Sequence, residues 1–129
     1  RAGVDLRLDV RNAERGLPSV LVHGIARGGC RIAMLVASLS SCHLLTFLWL
    51  AQIDGFVIDS YVEHAVGVMA KNEKGALWIK VVNLNPMIAY GGEKLPSPED
   101  EAHLHHLAHE QCFIANSIKS EVVVRSSRA

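Results

Sequence analysis

Two cysteines stand in unlike settings in this chain, Cys42 within Leu39-Ser40-Ser41-Cys42-His43-Leu44-Leu45 and Cys112 within His109-Glu110-Gln111-Cys112-Phe113-Ile114-Ala115-Asn116-Ser117. Each borders small or polar residues at the edge of an apolar run, and only a folded core can bring sulfurs so far apart in sequence together. The layout suits a reactive thiol and a resolving one. A thiolate attacks the terminal oxygen of a peroxide and becomes a sulfenic acid, which a second thiol condenses to a disulfide before further oxidation. Two thiols are therefore the smallest such cycle that runs without a metal. The attacking sulfur also needs a cation or helix N-terminus to lower its pKa, and an apolar approach that admits alkyl peroxides. Leu44, Leu45, Phe47, Phe113 and Ile114 are candidates for that wall. The third cysteine, Cys30, reads as an inert thiol.

His103, His105, His106 and His109 crowd one predicted helix. His105 and His109 share a face at i, i+4, and Cys112 follows His109 at i+3, which is metal-ligand spacing. A zinc site needs three or four converging ligands, and no HExxH pattern is present, so neither a metal nor another cofactor is expected. A polar helix face, with one imidazole assisting proton transfer near the thiols, fits these residues better. His43 adjoins Cys42, but neighbours on a helix point about 100° apart, so packing or hydrogen bonding is its expected role. Trp49, Trp78, Phe47, Phe56 and Phe113 are not interleaved with Lys or Arg, which favours core positions over a base-stacking platform. Gly91-Gly92 lacks the rest of a phosphate-binding fingerprint and reads as a loop.

The elements that must position these residues follow from composition and periodicity. At 129 residues, 50% hydrophobic and 20% charged, the chain suits a single domain over residues 1–129. Its formal charge is zero, so no global field draws nucleic acid or an anionic membrane surface. The expected partners are a small molecule and another copy of the chain. Three irregularly spaced cysteines make no secreted disulfide framework and no CxxC zinc pair, which points to a reducing cytoplasm. The apolar run at 32–53 contains Ser38, Ser40, Ser41, Cys42, His43, Thr46 and Gln52, a poor bilayer span and a good buried helix. No signal peptide is visible, and a start at Arg1 in place of Met leads us to expect an upstream segment.

Residues 4–10 alternate apolar and charged side chains, the period of a half-buried strand. A turn at 12–18, a return strand at 19–25 and a break at Gly28-Gly29 complete an opening hairpin. Residues 33–52 lack Pro and Gly and stop at Asp54-Gly55, as a central helix would. Strands at 57–70 and 76–90 are joined by Lys71-Asn72-Glu73-Lys74-Gly75 into a second hairpin. Ser97-Pro98-Glu99-Asp100 reads as an N-cap, a first-turn proline and dipole-favoured acids, opening a helix to about Gln111. Residues 119–125 can close the sheet.

Over residues 34–124 the chain resembles the OsmC/Ohr family of organic hydroperoxide reductases. The resemblance is carried by Leu35-Val36-Ala37-Ser38-Leu39-Ser40-Ser41-Cys42-His43, by Gly55-Phe56-Val57, by the strand pair around Lys71-Asn72-Glu73, and by Leu104-His105-His106 through His109-Glu110 to Ser117. It implies an α+β, OsmC-like fold, with a curved antiparallel sheet packed on a long central helix and a second helix. It further implies an intertwined homodimer with the active site at the interface, and cysteine-based reduction of organic hydroperoxides. Cys42 would be the peroxidatic thiol and Cys112 its resolving partner, recycled by a dithiol reductant of lipoyl or thioredoxin type. One departure stands out. Where the family has a glutamate after a proline in the turn opening the central helix, this chain has Gly29-Cys30-Arg31-Ile32-Ala33. The family's active-site arginine cannot be matched to Arg7, Arg11, Arg15, Arg27 or Arg31. Three explanations stay open: a divergent site using a cation such as Arg31, a catalytically impaired homologue that binds a small ligand or serves a structural role, or an opening segment altered by, for example, a frameshift. A His-rich metal binder is the remaining alternative.

Overall fold

A computed structural model describes residues 2–9, 20–25 and 30–129 of the chain. In chain order the elements are β1 (Ala2–Asp9), β2 (Val20–Ile25), α1 (Cys30–Ile53), β3 (Val57–Lys71), β4 (Leu77–Gly91), α2 (Pro98–Gln111), α3 (Phe113–Ser117), β5 (Glu121–Val124) and β6 (Ser127–Arg128). The sheet runs β2-β1-β3-β4-β5, with β6 also on β4. It is antiparallel from β2 through β4, and parallel where β5 and β6 join. The switch follows from connectivity: the path from β4 crosses over through two helices before it returns, and a crossover brings a strand back parallel. The sheet is thus α+β as expected, with a mixed edge that periodicity does not reveal.

The opening hairpin forms, pairing Gly3 with Ile25 through Leu8 with Val20. The expected turn at 12–18 and the Gly28-Gly29 break lie outside the described residues. Helix α1 begins three residues before its expected start and ends at Ile53, where Gly55 takes φ 81° to turn the chain out of the helix. In the β3–β4 turn the Asn72 side chain accepts the backbone N–H groups of Lys74 and Ala76 at 3.0 and 2.9 Å, satisfying donors the strands leave unpaired.

The inward phase of β3 reads Tyr61, Glu63, Ala65 and Gly67, and α1 lies across β3 and β1 with α2 alongside. A Cβ at Gly67 would stand 2.8 Å from a methyl of Val36, so the helix descends onto the strand there until only a hydrogen fits. Two apolar clusters result. One gathers Leu44, Phe47, Leu50, Phe56, Tyr61, Ile88 and Leu104 around the C-terminal half of α1. The other gathers Val36, Leu39, Ala65, Val82, Leu84 and Cys112 around its N-terminal half. By length and composition the stretch Met34–Ile53 is apolar enough to cross a membrane. In this fold it is the core helix, with Ser40 and His43 hydrogen-bonded in the interior.

Helix α2 opens as its sequence predicts. Ser97 Oγ accepts the Asp100 N–H at 3.1 Å while the Asp100 carboxylate accepts the Ser97 N–H at 3.1 Å, a reciprocal cap followed by Pro98. The same first turn is tied to the sheet through Glu101, which accepts from Tyr90 Oη at 2.9 Å and from Ser126, and pairs with Arg128 at 3.4 Å.

Candidate active site

Cys42 lies in the middle of α1, half-buried, whereas Cys112 is fully buried in the joint between α2 and α3. That joint is extended (φ −70°, ψ 115°), and the short helix α3 after it was not anticipated from the sequence. The Asn116 amide holds the joint closed by donating to Glu110 O at 2.9 Å and Cys112 O at 3.0 Å. The Cys112 sulfur accepts the Ala115 N–H at 3.4 Å. Cys42 packs against the same cluster as Cys112, and both are free thiols. Burial first, and then a side-chain hydrogen bond with Cys42, push the Cys112 thiol above its ordinary pKa. Cys112 is therefore held as a protonated thiol in the cluster that Cys42 packs against.

A cavity of about 650 Å³ is lined by Leu45, Thr46 and Trp49 of α1 and by Gln111, Phe113 and Asn116, but by neither cysteine. Leu45 and Trp49 follow Cys42 by one and two turns on the same side of the helix, and Gln111 and Phe113 flank Cys112. Of the expected apolar wall, Leu45 and Phe113 line this cavity. Leu44 and Phe47 instead turn fully into the core, and Ile114 packs against the thiol cluster. Trp49 and Phe113, expected in the core, are 55% and 81% exposed, because neither the sheet nor α2 covers that face of α1 and α3. Met34 and Ile53 are likewise exposed on α1.

His43 is hydrogen-bonded, as expected of it: its Nε2 lies 3.0 Å from His105 Nδ1, and the two rings stack in near-parallel planes. His105 also stacks on Phe47 with ring centroids 4.3 Å apart. His105 is only 6% exposed, which departs from the polar face expected for this helix. Desolvation, and then the neighbouring imidazoles of His105 and His109, lower His43 to about 3. Desolvation lowers His105 to about 4. Both rings are neutral at physiological pH, so neither supplies a cation. His105 Nε2 and His109 Nδ1 are buried with no hydrogen-bond partner. Both residues border a second cavity of about 540 Å³ between α2 and the C-terminal strands.

Sequence reasoning missed Glu63. It is fully buried, accepting from Ser40 Oγ at 2.8 Å and Tyr61 Oη at 3.1 Å. Desolvation raises it to about 7, against the lowering effect of those two hydrogen bonds. The signal was present: Glu63 stands in the inward phase between Tyr61 and Ala65, where a charged residue breaks the apolar pattern.

Among the described residues no group of three or more His, Cys, Asp or Glu side chains could hold a metal ion. The described guanidinium groups bond elsewhere, Arg125 to Asn83 and Arg128 to Glu101. Arg11, Arg15 and Arg27, and the side chains of Arg7, Cys30 and Arg31, lie outside what is described.

Known proteins share this fold. The family model described as OsmC-like protein matches residues 32–127. Among curated proteins none matches the chain. A solved OsmC-like protein of unknown function from Vibrio cholerae is 34% identical, with TM-score 0.73 over 84% of this chain and 78% of that one. An organic hydroperoxide resistance protein from Elizabethkingia anophelis, 15% identical, superposes with TM-score 0.62 over 91% of this chain and 84% of that one. The organic hydroperoxide resistance protein OhrB of Bacillus subtilis, 14% identical, does so with TM-score 0.55 over 100% and 98%. At that identity the last two show the fold alone. The chain belongs to the OsmC-like protein family.

Proposed function

We propose that the chain is a thiol-dependent peroxidase that reduces organic hydroperoxides, with Cys42 as the attacking sulfur and Cys112 as the resolving one. The observation that carries the reading is two free thiols packed into one cluster and unequally buried, with an apolar cavity lined by residues one and two turns after Cys42 and by the neighbours of Cys112. A Cys42 thiolate attacks the terminal peroxide oxygen, the O–O bond breaks, and the alkoxide takes a proton and leaves as alcohol. Cys42 is then a sulfenic acid. The Cys112 sulfur displaces its hydroxyl as water and forms the disulfide, which an external dithiol of lipoyl or thioredoxin type reduces by exchange. A buried thiol of raised pKa is a poor first nucleophile, which supports the order of roles. The two hydroperoxide resistance proteins of the same fold support the substrate class.

The partner we take to be a second copy of the chain, through the apolar face carrying Met34, Leu45, Trp49, Ile53 and Phe113, and the site of action to be a reducing cytoplasm. The test is stopped-flow mixing of reduced protein with cumene hydroperoxide, with Cys42→Ser as control. Peroxide loss in the parent and none in the variant is the expected result; equal rates would end the proposal.

One observation favours a second reading. The described guanidiniums are engaged away from the thiols, which suits a homologue that holds a small apolar ligand without turnover. Intact mass after one equivalent of peroxide separates the two, since a Cys42–Cys112 disulfide is formed only by the peroxidase.

A further inference from the structure

The chain carries no net charge, yet four of its five lysines, Lys71, Lys74, Lys80 and Lys119, line one depression of about 620 Å³. Basic composition does not explain such a gathering. Three backbone segments converge to make it. Lys71 and Lys74 stand on the β3–β4 turn that the Asn72 side chain locks. Lys80 stands on β4. Lys119 precedes β5 and is held against β4 by the hydrogen bond from Ser120 Oγ to Ile79 O. Glu73 is the one carboxylate in the lining, and among the described residues none of the four lysines forms an ion pair. Four like charges held together with a single carboxylate among them repel, and the arrangement is relieved by an anion of more than one charge.

Trp78 lines the same depression, and its Nε1 is buried with no acceptor. An indole N–H can only donate, and left unpaired in the interior it costs free energy that an oxygen ligand recovers. The lysines that line the depression have flexible stems that can swing aside for a small ligand. A buried donor in a depression lined by point charges suits a compact oxyanion better than a flat protein surface.

We propose that this depression is a binding site for a phosphate-bearing small molecule, one phosphoryl oxygen accepting from Trp78 Nε1 and the lysines surrounding its charge. The volume exceeds that of a bare phosphate, leaving space for an organic group against the indole. The site shares no residue with the thiol pair and stands or falls independently of the peroxidase reading.

The test uses the full chain carrying Trp49→Phe, so that Trp78 is the remaining tryptophan. Its fluorescence is followed during titration with inorganic phosphate, pyrophosphate and adenosine 5′-monophosphate, against sodium chloride at matched ionic strength. A saturable change with at least one phosphate ligand is expected, the three arms distinguishing a free anion from a monoester. Lys80→Glu with Lys119→Glu, both exposed positions, weakens it about tenfold or more. Trp78→Phe, read by calorimetry, keeps the ring, removes the donor and weakens binding about fivefold. A response that tracks ionic strength alone, that survives both charge reversals unchanged, or that appears with polyglutamate and with no phosphate ligand overturns the proposal.

Discussion

The seam between α1 and β3 and the seam between α1 and α2 both bury polar groups, and they bury them differently. Against β3, Glu63 takes hydrogen bonds from Ser40 and Tyr61, and the trio is sealed on all sides. Against α2, His43 and His105 satisfy one another, but His105 Nε2 is left without a partner at the edge of a cavity. The thiols lie where that second seam runs on into α3. A sealed network specifies packing; an edge with unspent hydrogen-bonding capacity and oxidisable sulfur is where chemistry can start.

The largest expected effect tests that division between two neighbouring residues. Cys42→Ser lowers peroxide consumption at least about a thousandfold, measured by stopped flow. The double variant His43→Leu with His105→Leu, which removes both partners and orphans neither, keeps the rate within about threefold. If the double variant were as inactive as Cys42→Ser, the imidazole pair would belong to the chemistry.

Next come stabilities of opposite sign. The folded-state pKa values of His43 and His105, about 3 and about 4, lie below the ordinary 6.5. Their contribution is complete above pH 6.5 and is lost as pH falls toward 4 and then 3, by several kcal/mol for the pair. Urea midpoints at pH 7, 5.5 and 4.5 should fall in sequence, and the double leucine variant should flatten that decline. Glu63 behaves oppositely. Raised from 4.5 to about 7, it stabilises most below pH 4.5 and loses that contribution as pH rises through 7, up to about 3 kcal/mol. Glu63→Gln should remove this opposing slope and be at least as stable as the parent at pH 8. An unchanged slope would show that Glu63 is not ionising in the core. The smallest effect is Ser97→Ala, which loosens the start of α2 by about 1 kcal/mol in thermal denaturation without changing the peroxide rate per molecule.

Much of the fold was legible because its signals are local. The Asn72 turn, the Ser97-Pro98-Asp100 cap and the uninterrupted apolar run of α1 each state their structure within a few residues. The mixed sheet edge was not, since β5 and β6 are four and two residues long and owe their direction to the crossover before them. Helix α3 is held by side-chain bonds of Cys112 and Asn116 that no periodicity announces. In the candidate site the two cysteines were readable from residue type and context. The His43–His105 pair spans two helices and could be seen only once they packed. Trp49 and Phe113 mislead for a related reason: an aromatic on an apolar helix looks like core until one knows which face the sheet leaves bare.

Gly67 sets a depth gauge for the whole site. Because only a hydrogen separates β3 from Val36 at that crossing, the height at which α1 rests is fixed a turn and a half upstream of Cys42. A methyl group at position 67 would jack the helix upward like a shim, carrying one sulfur with it while the other stays with its joint. The distance that the proposed disulfide would have to span is thereby governed from a residue that has no side chain at all.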